Sequence, residues 1–313
     1  MKTTLRPFAS AGCALLLAVS VPTLSSCSKS GDAAEAAAAE AATPAPSPAE
    51  DCLATANAGR AAILEGRLAD LHGMMPATWQ NDVDGCLRLL STKIDKPAFG
   101  QITGLAGDLA ALAEEKSDLI RAWLEEETPV EGRAFTADDV AALGRGLRAL
   151  SSWKYEDLSE GRFKELFGAP GLADALALFI RLSMADEDAS CSEFSVVDPA
   201  QTDKVSLRIT LTSRDWTFDK ESGTVQKFVR TDEETLDWVR FEDRWVPDPL
   251  LNPDEVSAGW TAGIQNFRRD IDDISPADVG QLSMAVTMIR MVLPMVKQCE
   301  TVEDLEQVFH KMR

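Results

Sequence analysis

One change of rhythm constrains the fold of this chain more than any other feature. Val205, Leu207, Ile209 and Leu211 alternate with Ser206, Arg208, Thr210 and Thr212, the two-residue period of a strand with one wet face. On both sides of that region the period is helical. Leu105, Leu109, Leu112, Leu119, Ile120 and Trp123 recur at three- and four-residue steps, as do Trp260, Ile264 and Phe267. Strands enclosed between helical blocks predict an α+β fold: a mainly helical lobe followed by a small antiparallel β-meander packed with C-terminal helices.

The helical block, residues 51–190, divides at familiar punctuation. Pro76 is expected in a first turn, where the missing N–H donor is not needed, Pro97 opens the longest helical run, and Pro170 accompanies the last helix of the block. Thr136-Ala-Asp-Asp139 puts a hydroxyl cap and carboxylates before Val140, Leu143, Leu147 and Leu150. In residues 191–313 the alternation continues through Val225–Arg230, Leu236–Phe241 and Trp245-Val246. Breaks are expected at Asp219–Gly223, Thr231–Glu234 and Glu242–Arg244, giving three to five strands of ~5–8 residues. Helices return after Asp254, the most apolar of them from Ala277 to Gln298, and Thr301 caps a short last one.

The amino terminus carries a different message. Lys2 and Arg6 precede an apolar run from Ala11 to Val21, and the chain then turns small and polar, the pattern of a secretory signal peptide over residues 1–26. The run is about half of the ~20 residues a spanning helix needs, and no later stretch is expected to be long and uncharged enough to span. Leu24-Ser25-Ser26-Cys27 resembles the lipobox of bacterial lipoproteins. The resemblance implies that the Cys27 thiol receives a diacylglyceryl group, that the chain is cut before it, and that the new amino group is acylated. Two or three acyl chains would anchor the protein firmly without spanning. Ser28 after the cysteine implies, within that class, the outer membrane of a Gram-negative cell envelope. Residues 27–50 hold Ala, Glu, Pro, Ser and Thr and little else, a flexible tether reaching ~30 Å as coil and ~70 Å extended.

The segment Met74–Val83, followed by Lys96 and a long helix, together with Phe241-Glu-Asp-Arg-Trp-Val-Pro247, is similar to a group of bacterial envelope lipoproteins with no assigned activity. That likeness supports the architecture and implies no chemistry.

Charge excludes one class of partner. The chain bears 31 Lys and Arg against 51 Asp and Glu, a net −20, which becomes −22 when residues 1–26, with Lys2 and Arg6 and no acid, are removed. Nucleic acids and anionic headgroups bind through basic clusters, so neither is expected. After Cys13 and Cys27 four cysteines remain, Cys52, Cys86, Cys191 and Cys299, an even number in an exported chain. Of three connectivities, Cys52–Cys86 with Cys191–Cys299 is favoured. Zinc is the alternative, but no Cys-x-x-Cys occurs and no histidine lies near in sequence.

No catalytic signature stands out, and neither a metal nor a cofactor is expected. Only His72 and His310 are available as imidazole bases, nearly the whole chain apart. Gln80–Gly85 resembles part of a calcium loop, but Ser91 occupies the position where the twelfth-residue carboxylate is needed. The acidic runs Asp186–Asp188 and Asp270, Asp272, Asp273 are expected to be solvated. Met284, Met288, Met291 and Met295 fall on one helical stripe. Thioethers can hold copper(I), but methionine also fills cores and lines adaptable partner grooves, so the stripe is expected to be core or an apolar interaction surface. Trp153 and Tyr155 are expected to anchor a core rather than form a stacking platform.

These features predict a membrane-anchored envelope lipoprotein with a non-enzymatic interaction or scaffolding role, its partners being the membrane through the lipid and a protein in the envelope. The alternatives are a small-molecule or glycan binder with a pocket near Trp238, Trp245 and Trp260, and a carboxylate-dependent hydrolase of envelope polymer.

Overall fold

The computed structural model describes residues 46–127, 135–169, 171–186, 190–199, 203–219, 224–253 and 259–310. The first described helix, α1 (Pro48–Leu64), begins inside the stretch expected to be tether, because Ser47 and Glu50 close a reciprocal capping box and Pro48 sits at its first position. Eight helices follow: α2 (Leu68–Met74), α3 (Ala77–Lys93), α4 (Lys96–Glu115), α5 (Ser117–Glu127), α6 (Ala137–Ser151), α7 (Tyr155–Glu160), α8 (Phe163–Phe167) and α9 (Leu172–Asp186). Thr136 and Asp139 form the capping box of α6 at the expected place.

The fold is α+β. An antiparallel sheet contains β1 (Ser190–Cys191), β2 (Ser195–Val196), β3 (Lys204–Asp219), β4 (Thr224–Phe241) and β5 (Arg244–Pro247), in the order β1-β3-β4-β5 with β2 also on β3. Four helices complete the described residues: α10 (Asp248–Leu251), α11 (Gly259–Asp272), α12 (Pro276–Gln298) and α13 (Val302–His310).

The sheet departs from expectation in strand length, with 16 and 18 residues in β3 and β4 and two each in β1 and β2 where ~5–8 were expected, and in one turn. The predicted break at Thr231–Glu234 does not exist, because β4 runs unbroken from Thr224 to Phe241. Asp232, Glu233 and Glu234 stand opposite Leu211, Thr210 and Ile209, and Glu233 lies 3.6 Å from Arg208. Glu233 shares the wet face of Thr210, whereas Asp232 and Glu234 share the face of Leu211 and Ile209, where Asp232 is half-buried and Glu234 exposed; the backbone ladder to β3 carries the strand through all three. Beyond Thr212 and Thr231 the ladder goes on as a two-stranded ribbon to Asp219 and Thr224.

Among the described residues three cores are formed, and each takes residues from both sides of position 190. The first gathers Trp79, Val83, Leu87 and Phe99 with Leu158, Phe163 and Leu166, then Trp260, Ile264 and Phe267. The second lays α1 on the sheet: Ala49, Cys52 and Ala56 are small enough to let the helix approach Val205, Leu207, Ile209 and Trp238. Polar clamps fix that contact. Asp51 accepts from Arg240 at 2.8 Å and from the Trp245 indole at 2.9 Å, while Asn57 holds Phe194 and Arg60 donates to the Cys191 carbonyl at 2.7 Å. The third core joins Leu105 and Leu112 of α4 to Val286, Leu293 and Val296 of α12 and to Leu305 and Val308 of α13.

These cores correct the disulfide expectation. Cys52, Cys86, Cys191 and Cys299 are all buried and all free. Cys52 and Cys191 belong to the sheet core, Cys86 to the first and Cys299 to the third, so each favoured pair is divided between two cores. Burial raises all four thiol pKa values, that of Cys52 to about 12. Buried thiols of this kind are small apolar fillers and poor nucleophiles. In the folded mature chain the four are expected to resist iodoacetamide, and to react together after unfolding without reductant, as read by peptide mass mapping. Two that stay unreactive after unfolding would restore a disulfide.

Candidate functional site

Helix α12 starts at a capping box in which Ser275 and Asp278 exchange hydrogen bonds, with Pro276 in the first turn. With 23 residues it is long and apolar enough, by length and composition, to cross a membrane. This corrects the expectation that no stretch after the signal peptide has that character. Among the described residues the helix packs through one side, where Val286, Leu293 and Val296 enter the third core.

The other side carries the methionines. Met284, Met288, Met291 and Met295 are 64%, 55%, 65% and 43% exposed. At ~100° per residue the four fall within an arc of about 60°, and at ~1.5 Å rise they extend over ~16 Å. The grouping of the four on one stripe is as the sequence predicts, and the stripe is exposed rather than core. Single exposed apolar residues are ordinary, whereas a contiguous row marks a surface with something to meet.

Its electrostatics are unusual for so acidic a chain. From Val279 to Cys299 there is no Asp or Glu. The two cations of that span turn toward α4: Arg290 pairs with Asp108 at 3.0 Å and Lys297 with Glu115 at 3.4 Å. Arg290 lies across Gly104, where any Cβ would collide with its guanidinium. What remains facing outward is neutral and thioether-rich. Pro294, inside the helix, withdraws the donor that would have reached the Arg290 carbonyl.

Neither a protein-family model, nor a curated protein, nor a solved structure matches the chain.

The other sequence candidates are dispersed. Cys27, Glu187 and Asp188 lie outside the described residues. Gln80–Gly85 is helical within α3, where Asp82 accepts from the Trp260 indole at 3.1 Å and Asp84 faces His72. Asp270 and Asp273 are exposed, and Asp272 pairs with Lys93 at 3.1 Å. Trp238 and Trp245 are buried in the sheet core and Trp260 in the first core, so the three indoles form no common aromatic wall. Trp153 donates to the Leu166 carbonyl and Tyr155 to that of Ser91, as core anchors do. Among the described residues no group of three His, Cys, Asp or Glu side chains is placed to hold a metal ion.

One cluster escaped the sequence reading. His72 is 4% exposed, its ring stacked on Phe163 at 4.7 Å, with Nε2 3.2 Å from Asp84 Oδ1. Burial lowers its pKa, while the Asp84 carboxylate pulls the other way and Lys164 adds to the lowering. His310 is exposed at the far end of α13 and takes no part. No spacing in the sequence signals this pair, since Asp84 and Phe163 come from separate helices.

Proposed function

We propose that this chain is a lipid-anchored envelope protein that works by attachment rather than catalysis, holding an acidic globule at a membrane through Cys27 and offering the methionine face of α12 for contact. The observation that carries the reading is that face: a contiguous apolar, uncharged row on a protein of net −20. Three further features support it. The lipobox-like Leu24–Cys27 supplies an anchor, the Ala/Pro-rich stretch supplies reach, and the titratable side chains singled out in the sequence are scattered rather than assembled. Acylation with two or three chains gives durable membrane residence, where one chain gives only marginal binding.

Intact-mass analysis of the protein purified from membranes is expected to show a chain beginning at Cys27 and carrying a diacylglyceryl adduct with a further acyl group. Cys27→Ser should release the protein into the soluble envelope fraction. An unmodified thiol at residue 27, or a different amino terminus, would remove the anchor from this reading.

A further inference from the structure

We infer that the methionine face of α12 seats on the surface of the same bilayer, so that the globule is attached at two points, one covalent and one through this helix lying in the plane of the membrane. This rests on the anchoring reading above. Three observations select a lipid surface over other occupants.

The first is charge. Anything approaching the mature chain meets 29 Lys and Arg against 51 Asp and Glu, a net −22, so a second copy is repelled, as is an anionic headgroup layer. The row itself is neutral, with Arg290 and Lys297 engaged by α4. A zwitterionic lipid surface suits it, because insertion there depends on apolar area rather than on opposite charge.

The second is the way α12 is held. Val286, Leu293 and Val296 pack against α4 and α13, so a spanning orientation would tear out the third core. An in-plane orientation leaves that core intact and buries only what is already bare. An interfacial helix sinks ~5–10 Å into the headgroup boundary, the depth of a methionine side chain and its backbone. Methionine is flexible and polarizable, and fits a fluid surface without a preformed pocket.

The third is the chain that leads to the anchor. Between Cys27 and Ser47, where α1 is capped, lie about 19 residues, which reach ~25 Å as coil and ~60 Å extended. A globule of this size has a radius of gyration near 18 Å, so this leash lets any face come down on the membrane. Tethering also turns the contact into an intramolecular event at an effective concentration of order millimolar, where even weak insertion is populated.

The test uses the lipidated mature chain in phosphatidylcholine vesicles, with an environment-sensitive nitrobenzoxadiazole dye on Met288→Cys, the other four thiols being buried. Emission is expected to shift to the blue and to be quenched by lipids spin-labelled near the headgroup. With the dye moved to Met295→Cys, adding Met284→Gln, Met288→Gln and Met291→Gln should reduce quenching at least fivefold. These substitutions lie on the exposed row, and a circular dichroism melt checks that the fold persists. A dye that remains water-exposed and unquenched overturns the proposal. A dye shielded from water but unquenched by lipid, with crosslinks to another copy or to another protein, overturns it in favour of that occupant. If residue 27 proves to carry a free thiol, the anchoring reading fails separately. The Met288→Cys dye is then followed while vesicles are titrated onto the unlipidated chain, with residue 27 changed to serine: a saturable blue shift supports the contact, and none overturns it.

Discussion

Replacing Trp260 with alanine is expected to destabilise the protein by about 3–5 kcal/mol, read as a fall in the urea unfolding midpoint. The indole is buried, stacks on Trp79 at 4.4 Å with the rings 8° apart, and donates to Asp82 at 3.1 Å. Its removal leaves a void between α3 and α11 and takes from Asp82 its indole donor. Trp260→Phe keeps most of the ring but not the N–H, and should cost about 1–2 kcal/mol, separating packing from the hydrogen bond. Because Trp79 shares the contact, Trp79→Ala added to Trp260→Ala should cost less than the two separately. An unchanged midpoint for Trp260→Ala would mean that α11 does not dock on α3 in solution.

Acid is expected to weaken the fold through His72. Its folded-state pKa lies below the ordinary ~6.5 because burial disfavours the imidazolium. The unfolded chain therefore takes up the proton at a higher pH than the folded one. The stability this residue supports is full above ~6.5 and is lost as pH falls from there toward the depressed folded value, at up to ~1.4 kcal/mol per pH unit. The groups facing it are Asp84 and the Gln80 backbone on α3 and Lys164 on α8; the first two soften the effect and the lysine sharpens it. Protonation of surface carboxylates also relieves self-repulsion in so acidic a chain, so the decisive quantity is a difference. His72→Phe keeps a ring against Phe163 and removes the titration. Urea midpoints at pH 7.5 and 5.5 should fall further in the native chain than in this variant, and equal falls would exclude His72 as the cause.

The two predictions concern groups that were legible to different degrees. Trp260 was readable, since it begins the stripe continued by Ile264 and Phe267, and a stripe of that width on an otherwise polar helix has to be buried. Its partner was not, because Trp79 lies more than half the chain away. His72 was visible only as one of two imidazoles in the chain. Its neighbours Asp84 and Phe163 meet it because α2, α3 and α8 pack together, a long-range outcome with no periodic signature.

The sequence by itself determined what depends on near neighbours along the chain: helical and strand periods, the capping box at Thr136 and Asp139, the alternation of Val205 to Leu211, and the grouping of four methionines on one stripe. Those follow from steps of one to four residues, which the chain specifies locally. Only the tertiary structure decided which stripe is covered. Val286, Leu293 and Val296 are as apolar as the methionines beside them, yet they are buried because α4 and α13 meet that side and nothing described meets the other. The same distant contacts separated four cysteines into three cores and carried β4 through its acidic stretch, since burial and pairing are properties of neighbours that the chain brings from far away.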